Sequence, residues 1–131
     1  MMSGVCAALR RLRPDVRLVG VEPAGAAAMR AALNAGGPVT LPATETIADG
    51  LAPVRAGDLT FEHVRQLADD VVTVEEGMIR EAAHFLLMRA RLVVEYSGAA
   101  ALAALLSGVV GSSGRTAVII SGGNVDLAVT T

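Results

Sequence analysis

Short runs of β-branched residues alternate with helix-forming stretches along almost the whole chain. The pattern predicts strands at 17–21 (RLVGV), 70–74 (DVVTV) and 116–120 (TAVII), and helices at 3–13, 24–35, 60–67, 75–91 and 97–107. Strands that are separated by helices need crossover connections, and these connections produce a parallel sheet. The sequence therefore predicts an α/β fold, with a partly parallel sheet and flanking helices in three layers.

Length and composition exclude several classes of protein. The 131 residues suit a single domain, and 53% hydrophobic against 18% charged residues argues against disorder. No apolar run reaches the roughly 18 residues that span a bilayer, so no membrane partner is expected. A net charge of −2 and only three aromatic residues argue against a nucleic-acid partner. The single cysteine, Cys6, fits a cytoplasmic protein.

Local signals at two helices make sharper predictions. Thr73 and Glu76 have the spacing of a capping box at the start of the 75–91 helix. The 97–107 helix (SGAAALAALLS) is apolar on nearly all sides, which indicates burial, and Gly108 is its expected end. Between the second and third helices, residues 38–58 are rich in Pro, Thr, Gly and Asp. A loop of this length in a compact domain is usually functional.

The stretch Ser121-Gly122-Gly123-Asn124 follows the last predicted strand. Ligands of parallel sheets bind beyond the carboxyl ends of the strands, so the Ser121 hydroxyl is placed to meet a ligand there. Glycines beside it would let a flat group approach the backbone. The same four residues also suit a tight turn without any ligand. Both interpretations remain open on these residues alone.

Five stretches taken together resemble one enzyme family. They are VGVEPAGAAAM (19–29), ETIADGLA (45–52), DDVVTVEEGMIREA (69–82), LVVEYSGAAALAALL (92–106) and VIISGGNVD (118–126). The set resembles the pyridoxal-phosphate-dependent threonine dehydratase and serine racemase family, of the tryptophan-synthase-β fold type. The resemblance implies that residues 1–131 are the C-terminal part of the catalytic domain, and therefore a partial large domain of a fold-type II enzyme.

The resemblance also implies a set of cofactor-binding residues for pyridoxal 5'-phosphate. Ser121 matches the family serine that hydrogen-bonds the pyridine nitrogen, with Gly122 beside it. Gly50 matches a glycine whose backbone lies near the cofactor ring. Glu95 matches a glutamate beneath the pyridine edge, although an acid at the start of a helix also interacts favourably with the helix dipole. Tyr96 departs from the family, which usually has proline at this position.

A cation site is implied at the end of the first strand. Glu22 and the carbonyl of Ala26 match two family cation ligands, but the third, acidic ligand falls on Ala28 and is missing. Divalent cations of this kind need several oxygen ligands. Glu22 can instead be an acid that sits near the start of the following helix.

The chain contains no lysine, because all eleven basic residues are arginine. A guanidinium stays protonated and cannot form the Schiff base that the family's cofactor needs, so no catalytic residue is predicted in this chain. The expected partners are therefore an N-terminal half or a complementing chain, a small hydroxy amino acid as substrate, and further copies in a homo-oligomer. We expect the chain alone to be inactive and prone to association.

Three functions emerge as hypotheses. The first is a threonine or serine ammonia-lyase, which eliminates the β-hydroxyl and yields a 2-oxo acid and ammonia. The second is part of a racemase of serine or another hydroxy amino acid. The third is a non-catalytic α/β binding or subunit module.

Overall fold

The computed structural model describes residues 1–112 and 114–125, so Asp126 of the VIISGGNVD stretch lies outside the described residues. The helices are α1 (Met2–Leu12), α2 (Ala28–Ala35), α3 (Asp58–Leu67), α4 (Glu76–Phe85) and α5 (Tyr96–Leu106), and the strands are β1 (Val19–Pro23) and β2 (Asp70–Val74). Two 3₁₀ turns lie at Ala24–Ala26 and Asp49–Leu51, and a π-helical turn at Leu86–Ala90 extends α4. In this part of the chain, no helix is long and apolar enough to cross a membrane.

The two strands form a parallel pair, as the alternation of strands and helices predicts. Val21 pairs with Val72, and Gly20 pairs with Val71. Side chains alternate between the faces of a sheet. Val72 and Val74 accordingly pack into the cluster made with α4 and α5, whereas Gly20, beside Val71, faces Met2 of α1. Helices thus cover both faces, and the predicted α/β architecture is confirmed.

The predicted strand at 116–120 is wrong for the described structure. These residues form no strand, and the described sheet consists of β1 and β2 alone. A β-branched run becomes a strand only when a neighbouring strand supplies hydrogen bonds for its backbone. No such neighbour lies beside residues 116–120 in the described sheet. The Ser121 stretch is therefore placed by its contacts with α5 rather than by a strand.

The predicted capping box at the start of α4 is also wrong. The N-cap is Glu75, and it makes no side-chain capping bond. Glu76 instead accepts a hydrogen bond at Oε2 from the backbone N–H of Ile47, at 2.8 Å. The Glu76 carboxylate therefore bonds to a residue distant in sequence instead of capping its own helix. The helix ends in the π-helical turn, after which Arg91 has a positive φ of 59°.

Small side chains allow α5 to pack closely in the core, as its apolar sequence predicts. Its buried residues are Gly98, Ala99, Ala100, Ala103 and Ala104, and they pack mainly on α4. Gly108 follows the helix with a φ of +77°, which confirms the predicted end. On the α5 side, no buried side chain is larger than a methyl group, which lets the neighbouring helix approach closely.

One arginine ties α1 to the connection between α3 and β2. The guanidinium of Arg10 donates to the carbonyls of Leu67 at 2.8 Å and Val16 at 2.9 Å, and it forms an ion pair with Asp69 at 2.6 Å. The Asp69 carboxylate also accepts from the backbone N–H of Leu18, at 2.6 Å. The pKa of Asp69 is lowered by this backbone hydrogen bond first and by Arg10 second.

We expect Arg10→Ala to lower the free energy of unfolding by about 1–3 kcal/mol, the range for hydrogen bonds from a charged donor to partly buried acceptors. Arg11→Ala is the matched control, because Arg11 is the next residue of α1 and is exposed. Urea titration followed by circular dichroism measures both variants. Equal losses in the two would contradict a special role for Arg10.

Candidate functional site

Glu95 and Gly122 are in direct contact. Glu95 is the N-cap of α5, and its backbone N–H donates to the carbonyl of Gly122 at 3.2 Å. Gly122 has a φ of +83°, a conformation that favours glycine. A Cβ at this position would overlap the Glu95 carboxylate. Only a glycine lets that carboxylate lie along the backbone here.

Ser121 is held by the first turn of α5. The residue is half-buried, and its carbonyl oxygen occupies the space in which a side chain on Gly98 would stand. The backbone around Ser121 therefore approaches α5 as closely as a helix allows. Gly98 is not among the residues predicted from the sequence, although a glycine directly inside the start of an alanine-rich helix is a signal of close packing.

Gly50 completes the group from a different part of the chain. It lies in the 3₁₀ turn Asp49–Leu51 and donates its backbone N–H to Oγ of Ser97, at 2.9 Å. A Cβ on Gly50 would stand 2.9 Å from that oxygen and 3.6 Å from Oε1 of Glu95. The fold thus brings Gly50, Glu95, Ser121 and Gly122 to one place. Ser97 is a fifth member, and no pattern in the sequence predicted it.

The donor set at this site suits a flat, polar heteroaromatic ring. The spaces where Cβ atoms of Gly50 and Gly122 would stand are taken by Oγ of Ser97 and by the Glu95 carboxylate. The groups with hydrogen-bonding capacity for a ring edge are the hydroxyl of Ser121 and the carboxylate of Glu95. A hydroxyl can donate to the nitrogen of a pyridine ring, so this set of groups is chemically compatible with the cofactor that the resemblance implies. They supply no amine that could hold an aldehyde covalently, since the chain has no lysine.

Glu22 and Ala26 lie elsewhere, at the junction of β1 and α2. The Glu22 carboxylate accepts the backbone N–H groups of Met29 at 2.8 Å and Arg30 at 2.9 Å, in the first turn of α2. This is the helix-start interaction that the sequence leaves open as the alternative to a cation. Burial raises the pKa of Glu22, and the two backbone hydrogen bonds oppose that rise.

The Ala26 residue is buried in the 3₁₀ turn that precedes α2, 1% exposed. Within residues 1–112 and 114–125, no group of three or more His, Cys, Asp or Glu side chains could hold a metal ion.

We expect Gly122→Ala to destabilise the site, because alanine in the left-handed conformation costs roughly 1–2 kcal/mol and its methyl group would displace Glu95. Gly123→Ala is the matched control: its Cβ would stand 3.6 Å from the Val93 carbonyl, an ordinary contact. Amide NMR spectra should show shifts at Glu95 and Ser97 in the first variant and only local changes at residue 123 in the second. Identical spectra around Glu95 would contradict the contact.

Comparisons with known proteins show which family the chain resembles. The sequence profile of the family described as "Pyridoxal-phosphate dependent enzyme" matches residues 1–122. The L-threonine ammonia-lyase of Geobacter sulfurreducens is 44% identical over 97% of this chain and 32% of its own length. The L-threonine dehydratase catabolic TdcB of Escherichia coli is 40% identical over 98% of this chain and 40% of its own length.

A solved structure extends the likeness to the fold. The structure of maize serine racemase superposes with a TM-score of 0.89 at 41% identity, covering 97% of this chain and 40% of the maize chain. The chain thus spans about a third to two-fifths of the length of these relatives. Because the family profile matches nearly all of the described residues, the chain belongs to the pyridoxal-phosphate dependent enzyme family, with the fold of the type II enzymes.

Proposed function

We propose that residues 1–131 form the C-terminal part of the catalytic domain of a threonine or serine ammonia-lyase that uses pyridoxal phosphate. A second segment, on the same or a complementing chain, would supply the lysine that this chain lacks. The observation that carries the proposal is the convergence of Gly50, Glu95, Ser121 and Gly122 at one site from three separate stretches. Relatives named as threonine ammonia-lyase and threonine dehydratase support this activity.

Pyridoxal phosphate, when bound, supplies the electron withdrawal that lets an amino acid lose its α-proton and β-hydroxyl, which gives a 2-oxo acid and ammonia after hydrolysis. The Ser121 hydroxyl would donate a hydrogen bond to the pyridine nitrogen. A neutral hydroxyl leaves that nitrogen without a fixed proton, whereas a carboxylate in the same place would hold one there. Glu95 would support the same edge of the ring, and the backbones of Gly50 and Gly122 would line it.

The cation, the homo-oligomer and the cytoplasmic location remain predictions of the sequence. For the cation, both oxygens of Glu22 already accept backbone N–H groups of α2, and Ala28 offers no carboxylate. Each carboxylate oxygen retains a second lone pair, so Glu22 could add a cation to its present partners. No step of the proposed reaction depends on one.

Racemisation of serine is the second candidate. The likeness of the fold to maize serine racemase, with a TM-score of 0.89, favours this activity. Lyase and racemase share the first loss of the α-proton and differ in the step after it. A lyase expels the β-hydroxyl, whereas a racemase returns a proton to the opposite face of the α-carbon. Product analysis therefore separates the two activities directly.

The direct test is complementation. We expect the full chain, coexpressed with the N-terminal segment of the Geobacter sulfurreducens relative that precedes the matched region, to form a complex that converts L-threonine to 2-oxobutanoate. L-Serine in the same assay should give pyruvate for a lyase and D-serine for a racemase. Each segment alone is the control and should be inactive. A stable, cofactor-loaded complex that forms none of these products would contradict both candidates.

In that complex, we expect Ser121→Ala to lower kcat/KM by about 10- to 100-fold, the effect of losing one hydrogen bond to a charged or strongly polarised group. The matched control is Ser112→Ala, which removes an exposed hydroxyl that hydrogen-bonds Oγ1 of Thr116 at 2.8 Å. Steady-state assays with L-threonine measure both variants. If the Ser121 variant were as active as the parent complex, Ser121 would not bind the cofactor and the assignment would be wrong.

A further inference from the structure

Two side chains outside the predicted site hold the loop that carries Gly50. We call residues 45–52 the Gly50 loop. Its backbone N–H at Ile47 donates to Oε2 of Glu76 at 2.8 Å, and its N–H at Gly50 donates to Oγ of Ser97 at 2.9 Å. Glu76 begins α4 and Ser97 stands in the first turn of α5. The loop is therefore attached to the starts of two helices that pack on each other.

Glu76 makes this contact at a cost in stability. Its second oxygen, Oε1, is buried and has no hydrogen-bond partner within the described residues. Ala48 of the loop and Val74 of β2 belong to the buried apolar cluster beside it. An unpartnered polar atom in such surroundings opposes folding. The bond to Ile47 and the favourable position of an acid in the first turn of α4 offset this cost.

Ser97 and Ser107, the two serines near the ends of α5, differ in their hydrogen-bond partners. Ser107, at the far end of the helix, donates its hydroxyl to the carbonyl of Ala103 at 2.7 Å, a bond within the turn. This is the usual local behaviour of serine in a helix. Ser97 instead accepts the N–H of Gly50, 47 residues away in sequence. Its hydroxyl thus links the loop to the helix whose N-cap is Glu95.

We propose that Glu76 and Ser97 are positioning residues that hold the Gly50 backbone against Glu95 and Gly122, so that these groups form one rigid wall for a pyridine ring. The ring as the ligand rests on the proposed function, whereas the attachment of the loop does not. These two bonds, three residues apart, add to the bond from the Glu45 N–H to the Gly25 carbonyl at 3.0 Å and to the burial of Ala48. Together they fix the orientation of the 3₁₀ turn.

The first experiment follows amide hydrogen exchange in the full chain by NMR. Ser97→Ala should speed exchange of the Gly50 amide by about two- to tenfold, the effect of one lost hydrogen bond. Ser107→Ala, at the other end of the same helix, should leave it unchanged. Glu76→Ala should speed exchange at Ile47 by a similar factor, and Glu76→Gln, which keeps an acceptor oxygen, should restore it. Unchanged Gly50 exchange in Ser97→Ala would overturn the attachment.

The second experiment measures the dissociation constant of pyridoxal 5'-phosphate in the complemented complex, by the change in cofactor absorbance during titration of the apo form. Ser97→Ala should weaken binding by about two- to tenfold, again the effect of one hydrogen bond, and Ser107→Ala should not. Faster Gly50 exchange with unaltered cofactor affinity would overturn the positioning role. No cofactor binding by the parent complex would instead count against the proposed function, while the exchange experiment still decides the attachment.

Discussion

Close contact between the start of α5 and the Ser121–Gly122 backbone is the constraint on which the candidate site depends. Because Gly98 has no Cβ, the Ser121 carbonyl can lie against the helix. Because Gly122 has no Cβ, the Glu95 carboxylate can lie against the backbone there. The bond from the Glu95 N–H to the Gly122 carbonyl, at 3.2 Å, sets the register between the two segments. A larger residue at either glycine would push them apart, and the hydroxyl and carboxylate would no longer share one site.

This arrangement explains why the site needs the whole fold although its members are few. The alanine-rich core between α4 and α5 fixes the position of the first turn of α5. The turn Asp49–Leu51 brings Gly50 to this first turn from a loop. At the end of the first strand, Glu22 stabilises the start of α2, separately from this site. Under the proposed function, the chain would contribute one wall of a cofactor site. It spans about a third to two-fifths of the length of its relatives.

Periodic signals in the sequence predicted most of the fold. The strand Asp70–Val74 falls where its β-branched run predicts, and α5 lies within one residue of its predicted bounds. The failures have a common physical origin, which is that long-range partners override local patterns. Residues 116–120 have strand composition but no neighbouring strand in the described sheet. Glu76 has capping-box spacing, yet its carboxylate bonds to Ile47. Ser97 carries no local signal, because its role depends on a glycine far away in sequence.

The electronic state of the cofactor nitrogen tests the central claim most directly. A complex loaded with pyridoxal phosphate that carries ¹⁵N in the ring reports that state through the nitrogen chemical shift. A ring bonded to the Ser121 hydroxyl should give the shift of an unprotonated, hydrogen-bonded pyridine near neutral pH, and the shift should change in the Ser121→Ala variant. A protonated ring nitrogen, or a nitrogen chemical shift that is the same in the parent complex and in Ser121→Ala, would contradict the account.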